Sequence, residues 1–453
     1  MGFVRDKVRP KIKTALPGPN SKKWEAFHLK YTCPATYEQG FIWDRKADAI
    51  GPFCTDPDGN IFIDFASHVA SSALGYNNPE LLDLAKKISR VNPDRYSGVD
   101  FISGYGKDPK KLEIPTVSHL HEKIMEITKQ FNFKKSFFSN SGTEAVENAI
   151  KLAYAKRKNY GYGFCFYGAF HGRTLGSLSL NRSMVQHRMW YPKIPKIMHM
   201  NYCSCVGDCG CGWIVKARNG QNVSQIVELI DRDFGIIDPD EVSYVILEPI
   251  QGEGGFKVPN RKFMKEIEKV TKQNGIPLIA DEIQSGLGRT GKMWAIEHSE
   301  IKPDIITASK ALNIAATIGK EEFFPKESGR VGGTWAEGNA MATAMGYTVI
   351  EVIEKQNLLK NATQKGNYFL KRLKELKEKF SCIIDVRGLG LMDAIELNTK
   401  ENRDKLKMTV RKKGLLVIGC GYKTLRFLPP LDVRQRELDI ALEILEDGLK
   451  EIC

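Results

Sequence analysis

The sequence has no apolar run that approaches the roughly 18 residues of a membrane-spanning helix. Residues 1–7 also lack the apolar core of a signal peptide, and Asp6 stands where a myristoylation signal has Ser or Thr. Internal repeats and low-complexity tracts are absent as well. These absences predict a soluble cytoplasmic protein with no membrane partner.

The chain also lacks a block of one charge sign. Its 67 Lys and Arg exceed its 54 Asp and Glu by 13, but the two signs alternate along stretches such as residues 365–380. Such alternation is typical of a solvated helix face, so we expect no nucleic-acid partner. With 27% charged and 42% hydrophobic residues over 453 positions, the composition indicates a globular protein of two or three domains.

Metal-ligand spacing is missing from most of the cysteines. Six of the ten are predicted to be buried or surface thiols: Cys33, Cys54, Cys165, Cys382, Cys420 and Cys453. The other four form a C-x-C-x3-C-x-C motif that is tighter than ordinary zinc spacing: Cys203, Cys205, Cys209 and Cys211. The motif leaves free thiols, a disulfide or a metal site open, and we favour the first two, so no metal is predicted.

The positive features centre on residues 277–310. The apolar run at 277–280 ends at Asp281, and a second apolar run at 304–307 is followed by Lys310. Short β-branched runs bounded by Gly and Pro are typical of buried parallel strands. Because ligands bind at the carboxyl ends of such strands, we expect Asp281 and Lys310 to present a carboxylate and an amine at one edge of a sheet.

This pair suits the chemistry of pyridoxal 5'-phosphate (PLP). A lysine amine forms a Schiff base with the aldehyde of that cofactor, and a carboxylate keeps its pyridine nitrogen protonated so that the ring accepts electrons. The alternative is structural, because an Asp at a strand end and a Lys after a strand are common without a ligand.

Residues 139–144 supply a candidate phosphate site. Ser141, Gly142 and Thr143 follow a short strand and precede a strong helix-forming segment at 145–156. The backbone N–H groups of a helix N-terminus can bind a phosphate, and two hydroxyls would add donors. The alternative is a well-capped helix, since Ser141 and Glu144 have capping-box spacing.

Two aromatic side chains, Phe170 and His171, follow another predicted strand at 163–167. An aromatic side chain at a strand end can stack on a flat ring. Each of these residues could equally belong to the core, and the sequence leaves both interpretations open.

The order of elements predicts an α/β fold with a second, smaller domain. Strand–helix–strand alternation from 136 to 310 is typical of a mostly parallel sheet covered on both faces. After residue 340, two long helices, short strands and a closing helix give an α+β pattern. The predicted domains are an N-terminal arm with a segment joining the small domain (1–75), a large cofactor-binding domain (76–333) and a small C-terminal domain (334–453).

Together these motifs resemble those of the class III (ω-amino acid type) PLP-dependent aminotransferases, which have fold type I. The resemblance runs from about Phe53 to the C-terminus. It implies the PLP-dependent transferase fold, with a large domain built on a mostly parallel sheet and a smaller α+β domain. The segments that carry it are 141–145, 170–174, 248–255, 281–286, 309–310, 333–335 and 425–430.

The resemblance implies a role for each residue around the cofactor ring. Lys310 would carry PLP, and Asp281 would pair with the pyridine nitrogen. Gln284 would bond the ring hydroxyl. Phe170 would stack over the ring, within a segment that includes His171.

The resemblance also implies how the phosphate is held. Ser141, Gly142 and Thr143 would form the phosphate-binding turn of one subunit. Thr334 would reach the phosphate of the neighbouring subunit, which implies a homodimer with shared active sites.

Four further residues would bind the substrates. Arg173 would bind a distal carboxylate, and Arg426 an α-carboxylate. Glu253 would neutralise Arg426 while an ω-amine donor is bound. Val69 stands where, by alignment, 4-aminobutyrate enzymes carry an aliphatic residue and ornithine enzymes a tyrosine.

The implied reaction moves the amino group of an ω-amino acid to 2-oxoglutarate, and the donor is 4-aminobutyrate-like, ornithine or lysine. The most similar subgroups are the 4-aminobutyrate and lysine 6-aminotransferases. An amino-acid racemase or epimerase of the same family is the alternative, since some class III proteins use the same lysine to return the proton to the opposite face. The chain departs from the family at 311–315, where many members have a Gly-Gly-Gly-x-Pro run.

Overall fold

The structure, a computed structural model, describes residues 2–33, 41–90, 102, 104–205, 210–333 and 338–453. None of the helices in these ranges combines the length and apolar character that a membrane crossing requires. The chain divides into two compact units, a larger one of Asp83–Leu359 and a smaller one of Met1–Leu82 together with Lys360–Cys453.

Strands and helices alternate through much of the chain. The strands are β1 (Phe53–Thr55), β2 (Ile61–Asp64), β3 (Lys135–Ser139), β4 (Tyr162–Phe166), β5 (Ile197–Met200), β6 (Ile214–Lys216), β7 (Asn222–Ser224), β8 (Val242–Leu247), β9 (Leu278–Asp281), β10 (Ile305–Ala308), β11 (Ala315–Gly319), β12 (Ile383–Leu389), β13 (Met392–Leu397), β14 (Leu415–Leu416), β15 (Ile418–Cys420) and β16 (Thr424–Phe427). The helices are α1 (Pro19–Tyr31), α2 (Ser67–Ala70), α3 (Pro79–Ile88), α4 (Val117–Ile127), α5 (Gly142–Arg157), α6 (Leu175–Ser179), α7 (Gln225–Leu229), α8 (Arg261–Gln273), α9 (Ala340–Lys355), α10 (Leu358–Lys379), α11 (Lys400–Lys412) and α12 (Gln435–Lys450). This order confirms the predicted α/β class.

The larger unit is built on a seven-stranded sheet with the order β3-β11-β10-β9-β8-β4-β5. The strands from β10 through β9, β8 and β4 to β5 pair in parallel, and β11 is antiparallel to both of its neighbours. Every residue of β8, β9 and β10 is buried, which explains why most of their side chains are apolar. Helix α5 packs apolar side chains such as Ala149 and Ile150 into the same core as Ile279 and Ile305.

The smaller unit combines both ends of the chain. Strand β14 pairs in parallel with β2, and a separate four-stranded antiparallel sheet has the order β12-β13-β16-β15. Arg5 forms ion pairs with Asp432 and with Glu437, whose carboxylate is 2.7 Å away. The compact units and the predicted domains have different boundaries: residues 76–82 belong to the smaller unit, and α9 belongs to the larger unit.

Two cysteines of the smaller unit correct the sequence prediction. Cys382 and Cys453, expected to be separate thiols, form a disulfide across 71 residues. Spacing along the chain could not reveal this pair, because its members meet only when α12 returns to the end of α10.

We expect Cys453→Ser to lower the free energy of unfolding of the smaller unit by about 2–4 kcal/mol, because the disulfide restricts a long loop of the unfolded chain. Scanning calorimetry with and without a phosphine reductant would measure this effect. Reductant should destabilise the wild type and the control Cys33→Ser, in which an exposed cysteine is replaced, more than it destabilises Cys453→Ser, because only the disulfide of Cys211 is left to reduce in that variant. Equal sensitivity of all three proteins would contradict the role of the disulfide.

Candidate active site

Polar residues lie at or just beyond the carboxyl ends of three neighbouring parallel strands of the larger sheet, β8, β9 and β10. Thr307 of β10 lies directly opposite Asp281, the last residue of β9. On the other side of β9, Leu247 pairs with Ala280, so that Glu248 follows β8 beside Asp281. Lys310 comes three residues after Thr307. The two strands are adjacent and parallel, so the predicted carboxylate and amine follow the same edge of the sheet.

The Asp281 carboxylate is buried and receives three hydrogen bonds. Its Oδ2 accepts from Nδ1 of His171 at 2.7 Å. Its Oδ1 accepts from Oγ1 of Thr307 at 3.0 Å and from the backbone N–H of Ile283 at 3.1 Å. An ionised carboxylate has about four acceptor positions, so one position remains for a further donor such as a protonated pyridine nitrogen.

His171 is fixed on both sides of its backbone. Its own N–H donates to Oδ1 of Asn181 at 2.6 Å, and Nδ2 of Asn181 donates to the carbonyl of Gly172 at 2.7 Å. The buried Nε2 of His171 has no hydrogen-bond partner among the described residues. Because an ionised carboxylate can only accept hydrogen bonds, Nδ1 of His171 carries the proton of its contact with Asp281.

Glu248 is a site residue that sequence reasoning did not single out. Its carboxylate accepts the backbone N–H groups of Phe170, at 2.9 Å, and of Gly252, at 2.8 Å. Burial raises the pKa of Glu248 to about 7, with the charge of Asp281 acting in the same direction and His171 opposing it. The signal was present in the sequence, because Glu248 ends a buried apolar run just as Asp281 does.

The backbone of Lys310 is unusual for a lysine. Its φ is +44°, in the left-handed region that non-glycine residues rarely adopt. The turn is closed by the N–H of Leu312 donating to Ser309, and by the N–H of Asn313 donating to Lys310, each at 3.0 Å. Such conformations persist only where the surrounding structure enforces them, and they cluster at functional sites.

The candidate phosphate turn is also the start of α5. Ser141 and Glu144 form the predicted capping box, with the N–H of Ser141 2.8 Å from the Glu144 carboxylate. A Cβ on Gly142 would come within 2.8 Å of Ile283, two residues after Asp281. The helix N-terminus therefore lies against the segment that carries the carboxylate.

The hydroxyl of Thr143 joins this turn to the segment after His171. It lies 2.9 Å from the hydroxyl of Thr174 and 2.5 Å from that of Ser177, and it accepts the N–H of Arg173 at 3.2 Å. A Cβ on Gly172 would come within 2.1 Å of this hydroxyl, so that only glycine fits there.

A small cluster lies beside the half-buried ring of Phe170. The guanidinium carbon of Arg173 is 5.9 Å from the centre of that ring, and the His187 ring meets it edge-on at 5.5 Å. Nη2 of Arg173 is 3.4 Å from Nε2 of His187. Burial, assisted by Arg173, lowers the pKa of His187, and Glu253 acts in the opposite direction. Arg173 and Glu253 thus both act on one imidazole, which the sequence did not indicate.

The structure shows fewer contacts for the remaining predicted site residues. Gln284 approaches Gly252, where an added Cβ would meet its side-chain oxygen at 2.4 Å. Arg426, in β16, and Val69 belong to the smaller unit. Thr334 lies outside the described residues.

Val69 lies in a strained segment of the smaller unit. Residues 67–70 all have positive φ, and Val69, at +60°, is β-branched and therefore a clear outlier. Oδ1 of Asp64 accepts the N–H groups of Ala66 and Ser67 at 2.7 and 3.0 Å. The His68 ring stacks on Trp43 at 4.4 Å. These contacts hold the segment in place.

Next to Asp281, Glu282 is buried, and its burial raises its pKa from 4.5 to about 7. Its carboxylate accepts the N–H of Ile296 at 2.7 Å and the hydroxyl of Ser285 at 2.6 Å. The folded protein keeps a proton that the unfolded chain loses, so the stability contributed by this group falls as the pH rises from about 4.5 to 7.

We therefore compare the change in unfolding free energy caused by Glu282→Gln, whose side chain stays neutral, at two pH values. We expect this change to be more favourable at pH 8 than at pH 5. The glutamine oxygen can still accept from Ile296, and its NH2 can donate to the Ser285 hydroxyl. Denaturant unfolding at both pH values measures the difference. Glu378→Gln, on the exposed face of α10, controls for net charge, and an equal pH dependence in both variants would contradict the buried-carboxyl explanation.

The residues at this edge of the sheet fit PLP. Asp281 has an acceptor position to spare, the first turn of α5 offers backbone N–H groups for a phosphate, and half-buried Phe170 offers a ring face. Lys310 supplies the amine. These features come from three different strand ends and one helix N-terminus of the same unit.

Known proteins are similar to this chain in sequence and in fold. The sequence model of a family described as aminotransferase class-III matches residues 41–449. The chain is 33% identical over 460 residues to the alanine/serine racemase of Pyrococcus horikoshii, covering 98% of this chain and 93% of the relative. It is 32% identical over 416 residues to a probable 4-aminobutyrate aminotransferase of Bacillus subtilis, covering 87% and 90%.

Among solved structures, the lysine aminotransferase from M. tuberculosis matches with a TM-score of 0.80. The two sequences are 25% identical, and the match covers 96% of this chain and 100% of the other. The match therefore includes nearly all of both chains.

Proposed function

We propose a reaction for this chain, which belongs to the class III aminotransferases and is a PLP-dependent enzyme. In this reaction it moves the amino group of an ω-amino acid to 2-oxoglutarate. The observation that carries the assignment of the site is the register of β9 and β10, with Thr307 opposite Asp281 and Lys310 three residues on. With this register, the carboxylate of Asp281 and the amine-bearing residue Lys310 lie at the same edge of one sheet.

We assign the following roles to the residues of the larger unit. Lys310 holds the cofactor and moves a proton to and from the substrate carbon. Asp281, oriented by His171 and Thr307, accepts a hydrogen bond from the pyridine nitrogen. Phe170 fixes the plane of the ring. PLP itself supplies the electron sink that stabilises negative charge on the substrate carbon.

Arg173 supports a substrate with a distal carboxylate. Its guanidinium lies next to the Phe170 ring and is exposed, so that a carboxylate can reach it. Guanidinium groups bind carboxylates through two parallel hydrogen bonds. Glu253, which acts on the same His187 imidazole, offers a negative charge nearby. We further propose a homodimer, with Thr334 reaching the phosphate of the second subunit.

The test is a panel of amino donors, each with 2-oxoglutarate. 4-Aminobutyrate, ornithine, lysine and β-alanine are incubated with the PLP-loaded protein, and glutamate is quantified. We expect glutamate from at least one ω-amino donor, in amounts equal to the donor consumed. No glutamate from any of the four would overturn the proposed reaction.

Amino-acid racemisation is the second candidate, and it is favoured by the 33% identity to the Pyrococcus horikoshii racemase. The same lysine can exchange a proton on either face of a substrate carbon. Chiral chromatography of alanine, serine, leucine and methionine incubated without an oxo acid separates the two functions. Inversion without an acceptor would identify a racemase, and an absolute need for 2-oxoglutarate would identify an aminotransferase.

A further inference from the structure

Three cysteines of the larger unit converge between β5 and β6. The sulfur atoms of Cys203, Cys205 and Cys211, the cysteine cluster, lie within 4.8 Å of one another. Cys203 is buried, and the other two are half-buried. The proposed reaction uses none of these residues.

A single residue, Asn260 at the N-cap of helix α8, binds the main chain of Cys203 and Cys205. The backbone N–H of Asn260 donates to the carbonyl of Cys203 at 2.8 Å, and its Nδ2 donates to the carbonyl of Cys205 at 2.7 Å. Oδ1 of Asn260 accepts from Lys262 at 2.8 Å and so caps α8. The main chain of both cysteines is therefore fixed to a helix N-terminus.

The other end of the cluster is fixed independently. Nδ2 of Asn201 donates to the carbonyl of Gly212 at 3.1 Å, next to Cys211. Gly212 has φ +77°, and a Cβ there would come within 2.8 Å of Asn201. Trp213 is buried and meets the ring of Phe263 edge-on at 4.6 Å. The main chain on both sides of the cysteine cluster is thus held in place by the protein itself.

This arrangement suits a thiophilic metal ion. A tetrahedral zinc ion with Zn–S bonds of about 2.3 Å places its sulfur ligands about 3.8 Å apart. Side-chain rotations that bring the cysteine sulfur atoms about 1 Å closer together would therefore complete the geometry. We propose that the reduced cysteine cluster binds one zinc ion as a structural site of the larger unit. The described residues supply three ligands, and Cys209, the fourth cysteine of the motif, lies outside them.

The oxidation state decides whether the site can form. Cys211 is disulfide-bonded in the structure, and zinc requires thiolates. A dithiol or phosphine reductant must first open this disulfide: it supplies two electrons and is itself oxidised, while two protons convert the sulfurs to thiols. Zinc then replaces the thiol protons, which are released to solvent. Metal binding and disulfide formation are therefore alternative states of the same segment.

The zinc content of the full-length, PLP-loaded protein tests the proposal. The protein is reduced with a phosphine without oxygen, supplied with zinc, freed of unbound metal and analysed by mass spectrometry of the metal. We expect about one zinc per chain in the wild type and in the control Cys33→Ser, and less than about 0.2 in Cys205→Ser/Cys211→Ser. Absence of zinc from the reduced wild type, or its retention by the double variant, would overturn the site.

A second measurement needs no variant and so does not depend on how the double variant folds. The reduced wild type is alkylated with and without zinc, and the rate is followed at each cysteine by peptide mass spectrometry. Zinc should slow the alkylation of half-buried Cys205 and Cys211 at least about tenfold and leave that of exposed Cys33 unchanged. Equal rates with and without zinc would overturn the zinc site.

Discussion

Lys310→Ala should abolish turnover, by at least about 10³-fold, and should remove the yellow, borohydride-reducible chromophore of the protein. The amine is the group that would both hold the cofactor and move the proton, and alanine replaces neither role. The left-handed backbone of residue 310 gives no additional reason for the variant to misfold, because its cost comes from the Cβ atom, which lysine and alanine share. Steady-state assays and absorption spectra measure the two effects together.

The matched control for this substitution is Lys302→Ala. Lys302 is exposed and precedes β10, whereas Lys310 follows it, so that the two lysines flank one strand. The backbone N–H of Lys302, which donates to Glu268 at 2.8 Å, is retained in the variant. The control should keep its chromophore and its activity. A Lys310→Ala protein that behaves like the control would show that another lysine holds the cofactor.

Asp281→Asn should lower kcat by about 10²–10³-fold, because the substitution removes the negative charge that keeps the pyridine nitrogen protonated. Asparagine also turns one acceptor oxygen into a donor. That donor would face either the Nδ1 of His171 or the hydroxyl of Thr307, each of which now donates to Asp281. Rapid mixing of the PLP-loaded variant with an amino donor would separate the chemical step from binding.

Thr307→Val distinguishes loss of charge from loss of one hydrogen bond. It removes the 3.0 Å hydrogen bond to Asp281 but keeps the carboxylate, the His171 contact and the register of β9 and β10. We expect a decrease in kcat of less than about tenfold. If both variants lose activity equally, the charge of Asp281 is not the reason for its effect; if Asp281→Asn keeps full activity, the assignment of Asp281 is wrong.

The strand ends of the larger unit could be predicted from the sequence because burial acts on both faces of these strands. Residues 278–280 and 305–308 are buried throughout, so each is a mainly apolar run, and a polar residue follows at 281 and at 309. The same rule applies to Glu248 after β8, which sequence reasoning quoted only as part of a motif. Its role is visible only in the structure, where the backbone N–H groups of Phe170 and Gly252 donate to its carboxylate.

Other elements could not be predicted because they are determined by contacts with segments that are distant in the sequence. Helix α11 is dominated by charged residues, and its buried side chains are Arg403, Leu406 and Val410, too few to give an apolar pattern. Strand β11 is not recognisable from the sequence, because its residues, 315–319, are mostly small and become a strand only by antiparallel pairing with β3 and β10. The meeting of Arg173, His187 and Glu253 depends on segments up to 80 residues apart in the chain.

The pairing of distant segments explains the remaining differences. Strand β2 finds its parallel partner β14 about 350 positions later, and Cys382 meets Cys453 at the C-terminus. Periodicity and spacing report local structure, and neither specifies which distant segment closes a sheet or a disulfide.

Reduction with borohydride followed by peptide mass spectrometry locates the cofactor directly on the chain. The treatment fixes the lysine-bound cofactor as a stable phosphopyridoxyl group, whatever the substrates of the enzyme are. The account predicts that group on the peptide containing Lys310 and on no other lysine. A phosphopyridoxyl group on a different lysine, or a protein that takes up PLP without forming any reducible bond, would contradict it.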